Sequence, residues 1–132
     1  MDLVLKNVTT LRNGEEVLSD IGVLNGQIVA IELGLSSDAE TIDMQGRLAT
    51  PGFVESHIHL DKACILDRCK SEEGTLDEAI REVSAAKKEF TVEDIRARAV
   101  RVLEKCILQG TTRMRTHLEV DPVIGIKSID AI

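Results

Sequence analysis

The sequence predicts an α/β protein in which a hairpin-rich antiparallel segment leads into a strand–helices–strand unit with parallel strands. Three observations predict it. Two Asn-Gly dipeptides, Asn13-Gly14 and Asn25-Gly26, punctuate the first third of the chain. Two later stretches, residues 53–61 and 112–120, alternate side chains of different character at the period of a strand. Between them, two segments open on a threonine followed by acidic residues and carry apolar residues at helical spacing.

Residues from Met1 to about Leu48 read as short strands joined by tight turns. Asn-Gly tolerates the positive φ that a two-residue hairpin demands. The second pair is flanked by Ile21-Gly22-Val23-Leu24 and Gln27-Ile28-Val29-Ala30-Ile31, both rich in β-branched residues. A small antiparallel sheet is expected here. Gly34 to Asp38 reads as a polar loop, and Thr41-Ile42-Asp43-Met44 resumes an extended segment before Gln45-Gly46.

After Pro51-Gly52 comes Phe53-Val54-Glu55-Ser56-His57-Ile58-His59-Leu60-Asp61. As a strand, it places Glu55, His57, His59 and Asp61 on one face and Val54, Ser56, Ile58 and Leu60 on the other. An ordinary core strand avoids such an ionisable face. Two histidines at i, i+2 lie about 7 Å apart along the backbone and point the same way. Their imidazoles can converge on one divalent ion, although H-x-H also arises in plain core or exposed strands. Glu55, one pleat deeper, is expected to pair with Arg113 or Arg115. Lys62 reads as exposed or ion-paired, and Cys64 and Cys69 as part of a loop able to fold over a pocket.

Thr75-Leu76-Asp77-Glu78 and Thr91-Val92-Glu93-Asp94 have the form of capping boxes. The second helix carries Ile95, Ala99, Val102, Leu103 and Cys106 at helical spacing and stops at Gly110. Glu93, Arg96, Arg98, Arg101, Glu104 and Lys105 read as its solvated face. The next strand puts Arg113, Arg115, His117 and Glu119 on one face and Met114, Thr116, Leu118 and Val120 on the other, with Asp121-Pro122 ending it. A further helix starts at Ser128. Two parallel strands with charged inner faces need neighbours that no later strand here supplies. The expectation is a chain that ends inside an α/β architecture.

Composition removes several function classes. The chain has 132 residues, 43% hydrophobic and 30% charged, with two prolines, which excludes collagenous, mucin-like and disordered chains. Aromatics are 2%, so the core is expected from Leu, Ile, Val and Ala, and bases would find little to stack on. A net charge of −7 opposes nucleic-acid backbones and anionic membranes. No apolar run approaches the roughly 18–20 residues of a membrane span. An acid stands near the N-terminus where a signal peptide carries base. Three cysteines without a C-x-x-C pair argue against a disulfide framework and a zinc knuckle, so a reduced, cytoplasmic protein is expected.

The run Pro51-Gly52-Phe53-Val54-Glu55-Ser56-His57-Ile58-His59-Leu60-Asp61-Lys62-Ala63 resembles the first-strand signature of the amidohydrolase superfamily. Within it, His57-Ile58-His59-Leu60-Asp61 and Arg115-Thr116-His117 are most similar to the cytosine deaminase branch. The hairpin-rich segment resembles that family's small β-sandwich. The resemblance implies the N-terminal portion of a (β/α)8 TIM barrel preceded by a small β-sandwich segment. Residues 1–50 would form part of a composite sandwich and residues 51–132 the first two β/α units. Such a barrel usually takes about 250 residues, so the chain is expected to be a truncated portion.

The implied activity, in the full-length parent, is metal-dependent hydrolysis of a non-peptide C–N bond in a cyclic amidine or amide, a cytosine-like deamination by metal-activated hydroxide. His57 and His59 would be two ligands of one divalent ion, Fe2+ or Zn2+. The other ligands and the acid–base groups would come from later strands, so no catalytic residue is assigned among these. His117 and Asp61 are expected to touch substrate or support a ligand, with a structural hydrogen bond or a loop cap as the plainer roles. Two alternatives stand: an amidohydrolase of another ring, such as an N-alkyl triazine, and a catalytically inactive fragment. The expected partner is a small cyclic substrate, with neither nucleic acid nor membrane, and homo-oligomerisation is left open. The H-x-E and P-C-x-x-C motifs of cytidine-type zinc deaminases are absent.

Overall fold

Both Asn-Gly pairs close hairpins in the computed structural model, which describes residues 1–132. They join β1 (Leu3–Arg12), β2 (Glu15–Leu24) and β3 (Gln27–Glu32). Asn13, Gly14, Asn25 and Gly26 all have positive φ, as two-residue hairpins require. The chain divides into two units, Met1–Pro51 and Gly52–Ile132.

The sheet of the first unit runs β3-β2-β1-β4, with β4 at Glu40–Asp43. It is mixed rather than antiparallel, because β4 pairs with β1 in parallel. Before β4 the chain is anchored at Asp20 on β2, which is 2% exposed. Its Oδ2 accepts from Lys6 Nζ at 2.9 Å and from the N–H groups of Gly34 and Leu35 at 2.9 and 3.0 Å. Its Oδ1 accepts from Asn7 N at 3.1 Å. The Lys6 ammonium and these backbone donors hold the carboxyl below its ordinary pKa. The loop after β3 is thereby tied to the sheet, and Leu35 joins Val4, Val8 and Ile21 in the core.

In the second unit β5 (Phe53–Ile58) and β6 (Thr111–Thr116) are parallel, connected through α1 (Leu76–Ala86) and α2 (Val92–Leu108). Parallel strands need such a crossover. Both caps form: Thr75 Oγ1 accepts from Glu78 N at 3.2 Å and Thr91 Oγ1 from Asp94 N at 3.1 Å. The short α3 spans Lys127–Ala131, beginning one residue before the expected start.

The core of this unit comprises Ile65, Ala86, Phe90, Ile95, Ile124 and Ala131. It is not purely aliphatic, since Phe90 is 2% exposed between α1 and α2. Ile95 and Ala99 face it as expected, but Arg98, expected in solvent, is also buried. No helix is long and apolar enough to cross a membrane.

Both strands stop earlier than the alternation suggests. Leu60–Lys62 is a single 3-10 turn, and Leu60 N donates to Thr116 Oγ1 at 3.1 Å. Asp121 does not end β6. Its Oδ1 accepts from Val123 N and Ile124 N at 2.7 and 3.0 Å, which closes a separate turn.

Candidate metal centre

His57 is the penultimate residue of β5 and His59 lies just beyond its end. Their ring centroids are 5.4 Å apart. His117, one residue beyond β6, comes within 4.3 Å of the His57 ring and 5.5 Å of the His59 ring. Its N–H donates to Ile58 O at 2.8 Å, which extends the ladder and sets His117 beside β5. All three histidines of the chain thus gather at the C-terminal ends of two parallel strands.

His59 Nδ1 is buried and has no hydrogen-bond partner. Buried polar atoms are almost always paired, so an orphaned imidazole nitrogen suits a group that the chain itself does not supply. Burial, reinforced by the Lys62 cation, pushes the His59 pKa below its ordinary value. The ring is therefore neutral at neutral pH, the form that ligates metals. The residues fit a divalent ion as a two-imidazole half-site. No three His, Cys, Asp or Glu side chains converge in metal-holding geometry, so His117 stands beside the pair rather than completing it.

Asp61 does not share the strand face of the histidines, because β5 has already ended. It is 1% exposed within the 3-10 turn. Oδ2 accepts from Glu119 N at 2.7 Å, while Oδ1 is buried without a partner. The side chain ties the end of β5 to the segment after β6. Glu55 makes no ion pair with Arg113 or Arg115. The register sets Arg113 beside Val54 and Met114 beside Glu55, so the arginines lie on the opposite face. Glu55 Oε1 instead accepts from His57 N at 2.8 Å.

Two residues at this end were missed by sequence reasoning. Lys87 is buried and pairs with Glu119 at 3.3 Å and with Asp121. The pair raises the Lys87 pKa and, with two backbone donors, lowers that of Asp121 to about 2. Lys62 reaches Glu119 at 3.9 Å, in line with the ion-paired expectation. Arg98 donates from Nη1 to Asp61 O and Ala63 O at 2.9 and 2.7 Å. A signal for it existed: Arg98 follows Ile95 by three residues and adjoins Ala99, on the buried stripe of α2.

The loop after the turn is folded back on α1. Cys64 and Cys69 line a groove of about 480 Å³ together with Lys62, Ile65 and Val83. The Glu78 carboxylate accepts from the N–H groups of Glu72, Glu73 and Gly74 and fixes the rim. Those donors lower its pKa. All three cysteines are free.

Residues 40–129 match the family model described as "Amidohydrolase family". The chain belongs to the amidohydrolase family. Among its relatives, N-isopropylammelide isopropyl amidohydrolase of Pseudomonas sp. (strain ADP) is 31% identical over 137 residues, covering 99% of this chain and 34% of that protein. The solved 5-methylcytosine deaminase from Klebsiella pneumoniae, liganded with 5-fluorocytosine, superposes with a TM-score of 0.82 at 34% identity. That match covers 97% of this chain and 31% of the deaminase. N-isopropylammelide isopropylaminohydrolase from Burkholderia multivorans ATCC 17616 gives a TM-score of 0.74 at 25% identity, over 98% and 32% of the two chains. This amidohydrolase chain spans about a third of the length of these relatives. Its mixed fold is that of a portion of the superfamily's β-segment and (β/α)8 barrel, the fold class expected from the sequence.

Proposed function

We propose that the protein containing this chain hydrolyses a non-peptide C–N bond in a small nitrogen-bearing ring, with cytosine-like deamination as the first reading. The observation that carries it is the gathering of His57 and His59, one with an orphaned buried nitrogen, at the C-terminal end of a parallel strand. The two imidazoles would hold one divalent ion, iron or zinc. When bound, that ion supplies Lewis-acid polarisation and makes water acidic enough to ionise near neutral pH.

Each residue of the chain has a definable part in this reading. Burial keeps His59 unprotonated and ready to ligate. His117 packs on the His57 ring, where it limits ring rotation and presents a hydrogen-bonding edge to a substrate. Asp61 holds the turn that follows His59. The remaining ligands and the proton-transferring groups are assigned to residues outside this chain. On the same reading residues 1–50 contribute to a composite β-sandwich and residues 51–132 are the first two β/α units of the barrel. The protein works in the cytoplasm, where the free cysteines stay reduced. Neither nucleic acid nor membrane is a partner of so acidic a chain.

A second reading, hydrolysis of an N-alkyl triazine, is favoured by the 31% identity to the N-isopropylammelide hydrolase. The complete protein, loaded with zinc or iron, should be assayed on cytosine and on N-isopropylammelide. Ammonia released from cytosine is the expected result. Isopropylamine released from the triazine alone selects the second reading. No product from either ring, nor from other cyclic amidines and amides, overturns the proposal.

A further inference from the structure

We propose that Arg98 is a positioning residue for the metal-ligating histidines, acting through the backbone turn that follows His59. This rests on the ligand roles proposed above for His57 and His59.

His59 itself has φ −114° and ψ 86°, neither helical nor fully extended, and leads directly into the 3-10 turn. The carbonyls of the turn that follows are held from α2. Two of them, Asp61 O and Ala63 O, accept from the same nitrogen, Arg98 Nη1, at 2.9 and 2.7 Å. Without that donor, two carbonyls at the end of the turn would lose a charged partner.

The guanidinium is itself held on its other sides. Nε and Nη2 donate to Asp94 Oδ2 at 3.1 and 3.0 Å. Its Cζ lies 4.4 Å from the centroid of the Phe90 ring, a member of the core. Asp94 is fixed in turn by Arg68, whose Nη1 and Nη2 donate to it at 3.0 and 2.6 Å, and by the Thr91 cap on its N–H. Arg68 comes first among the groups that lower the Asp94 pKa.

A continuous series of contacts therefore runs from the N-terminus of α2 through Asp94 and Arg98 to the turn beside His59. Only a planar fork serves this geometry, since one edge grips a carboxylate while the remaining nitrogen divides between two carbonyls. A lysine ammonium can satisfy one side but not both. Arg98 touches no imidazole, and its effect on the ligands travels through the main chain. Groups that orient metal ligands from behind typically change affinity by about 10- to 100-fold when removed.

The test uses the complete protein and two readouts besides turnover. These are Zn2+ affinity by competition with a chromophoric chelator, and the visible absorption of the Co2+-loaded form. Arg98→Met is expected to keep its helical circular dichroism, bind Zn2+ at least about 10-fold more weakly and shift the cobalt bands. Arg98→Lys, which restores one set of contacts, is expected to fall between Arg98→Met and the parent. A folded Arg98→Met with parental affinity and cobalt spectrum overturns the proposal. If Arg98→Met does not fold, a folded Arg98→Lys with parental affinity and spectrum overturns it equally. His59→Ala is run alongside: unchanged Zn2+ affinity there removes the ligand assignment itself, and this inference with it.

Discussion

Asp61 shows how one side chain can hold two strand ends together. Its Oδ2 is the acceptor for Glu119 N, and its main-chain oxygen takes a bond from Arg98 across the unit. Asp61→Ala is expected to lower the stability of the second unit by about 1.5–3 kcal/mol, the usual worth of a hydrogen bond to a charged group. Urea unfolding followed by circular dichroism measures it, and Asp61→Asn, which retains an acceptor, should lose less. The closeness of the His57 and His59 rings was legible from sequence, because side chains two residues apart on near-extended chain leave on the same side. The placement of Asp61 was not, because the end of β5 is set by the Leu60 N–H bond to Thr116 Oγ1 and by a bond from Arg98, both partners distant in sequence. The same long-range bonds bury Arg98, whose charge alone argued for solvent.

Helix boundaries are written locally, and sheet pairing is not. Both threonine caps were readable because each is satisfied within one helical turn. Thr75→Ala and Thr91→Ala are each expected to cost about 1 kcal/mol, measured as a fall in unfolding midpoint. Thr91→Ala should also disturb Asp94, which binds both Arg68 and Arg98. Phe90→Ala, in the core, is expected to cost about 3–5 kcal/mol. The parallel attachment of β4 to β1 escaped prediction because strand pattern does not say which edge a strand joins. The segment before β4 is held by bonds distant in sequence, from the N–H groups of Gly34 and Leu35 to Asp20.

Across the whole molecule, carboxylates set the response to acid. Asp121, Asp94, Asp20 and Glu78 are all more acidic in the folded chain than their ordinary values. As pH falls below about 4 the unfolded chain takes up these protons first, so the stability they contribute is present above that pH and is lost towards pH 2. A urea midpoint that declines steeply between pH 4 and pH 2 is the expected outcome, with Asp121→Asn flattening part of the decline. Lys87 works in the opposite direction. Its raised pKa contributes stability below pH 10.5 that is lost as pH rises beyond its folded value.

At this scale too belongs the proposed role of the gathered ends of β5 and β6 as half of a metal centre. Metal analysis of the complete protein, purified without chelator, tests it most directly. About one equivalent of iron or zinc is expected, with the content falling sharply in both His57→Ala and His59→Ala while the helical circular dichroism is retained. Full metal content in both substituted proteins would contradict it.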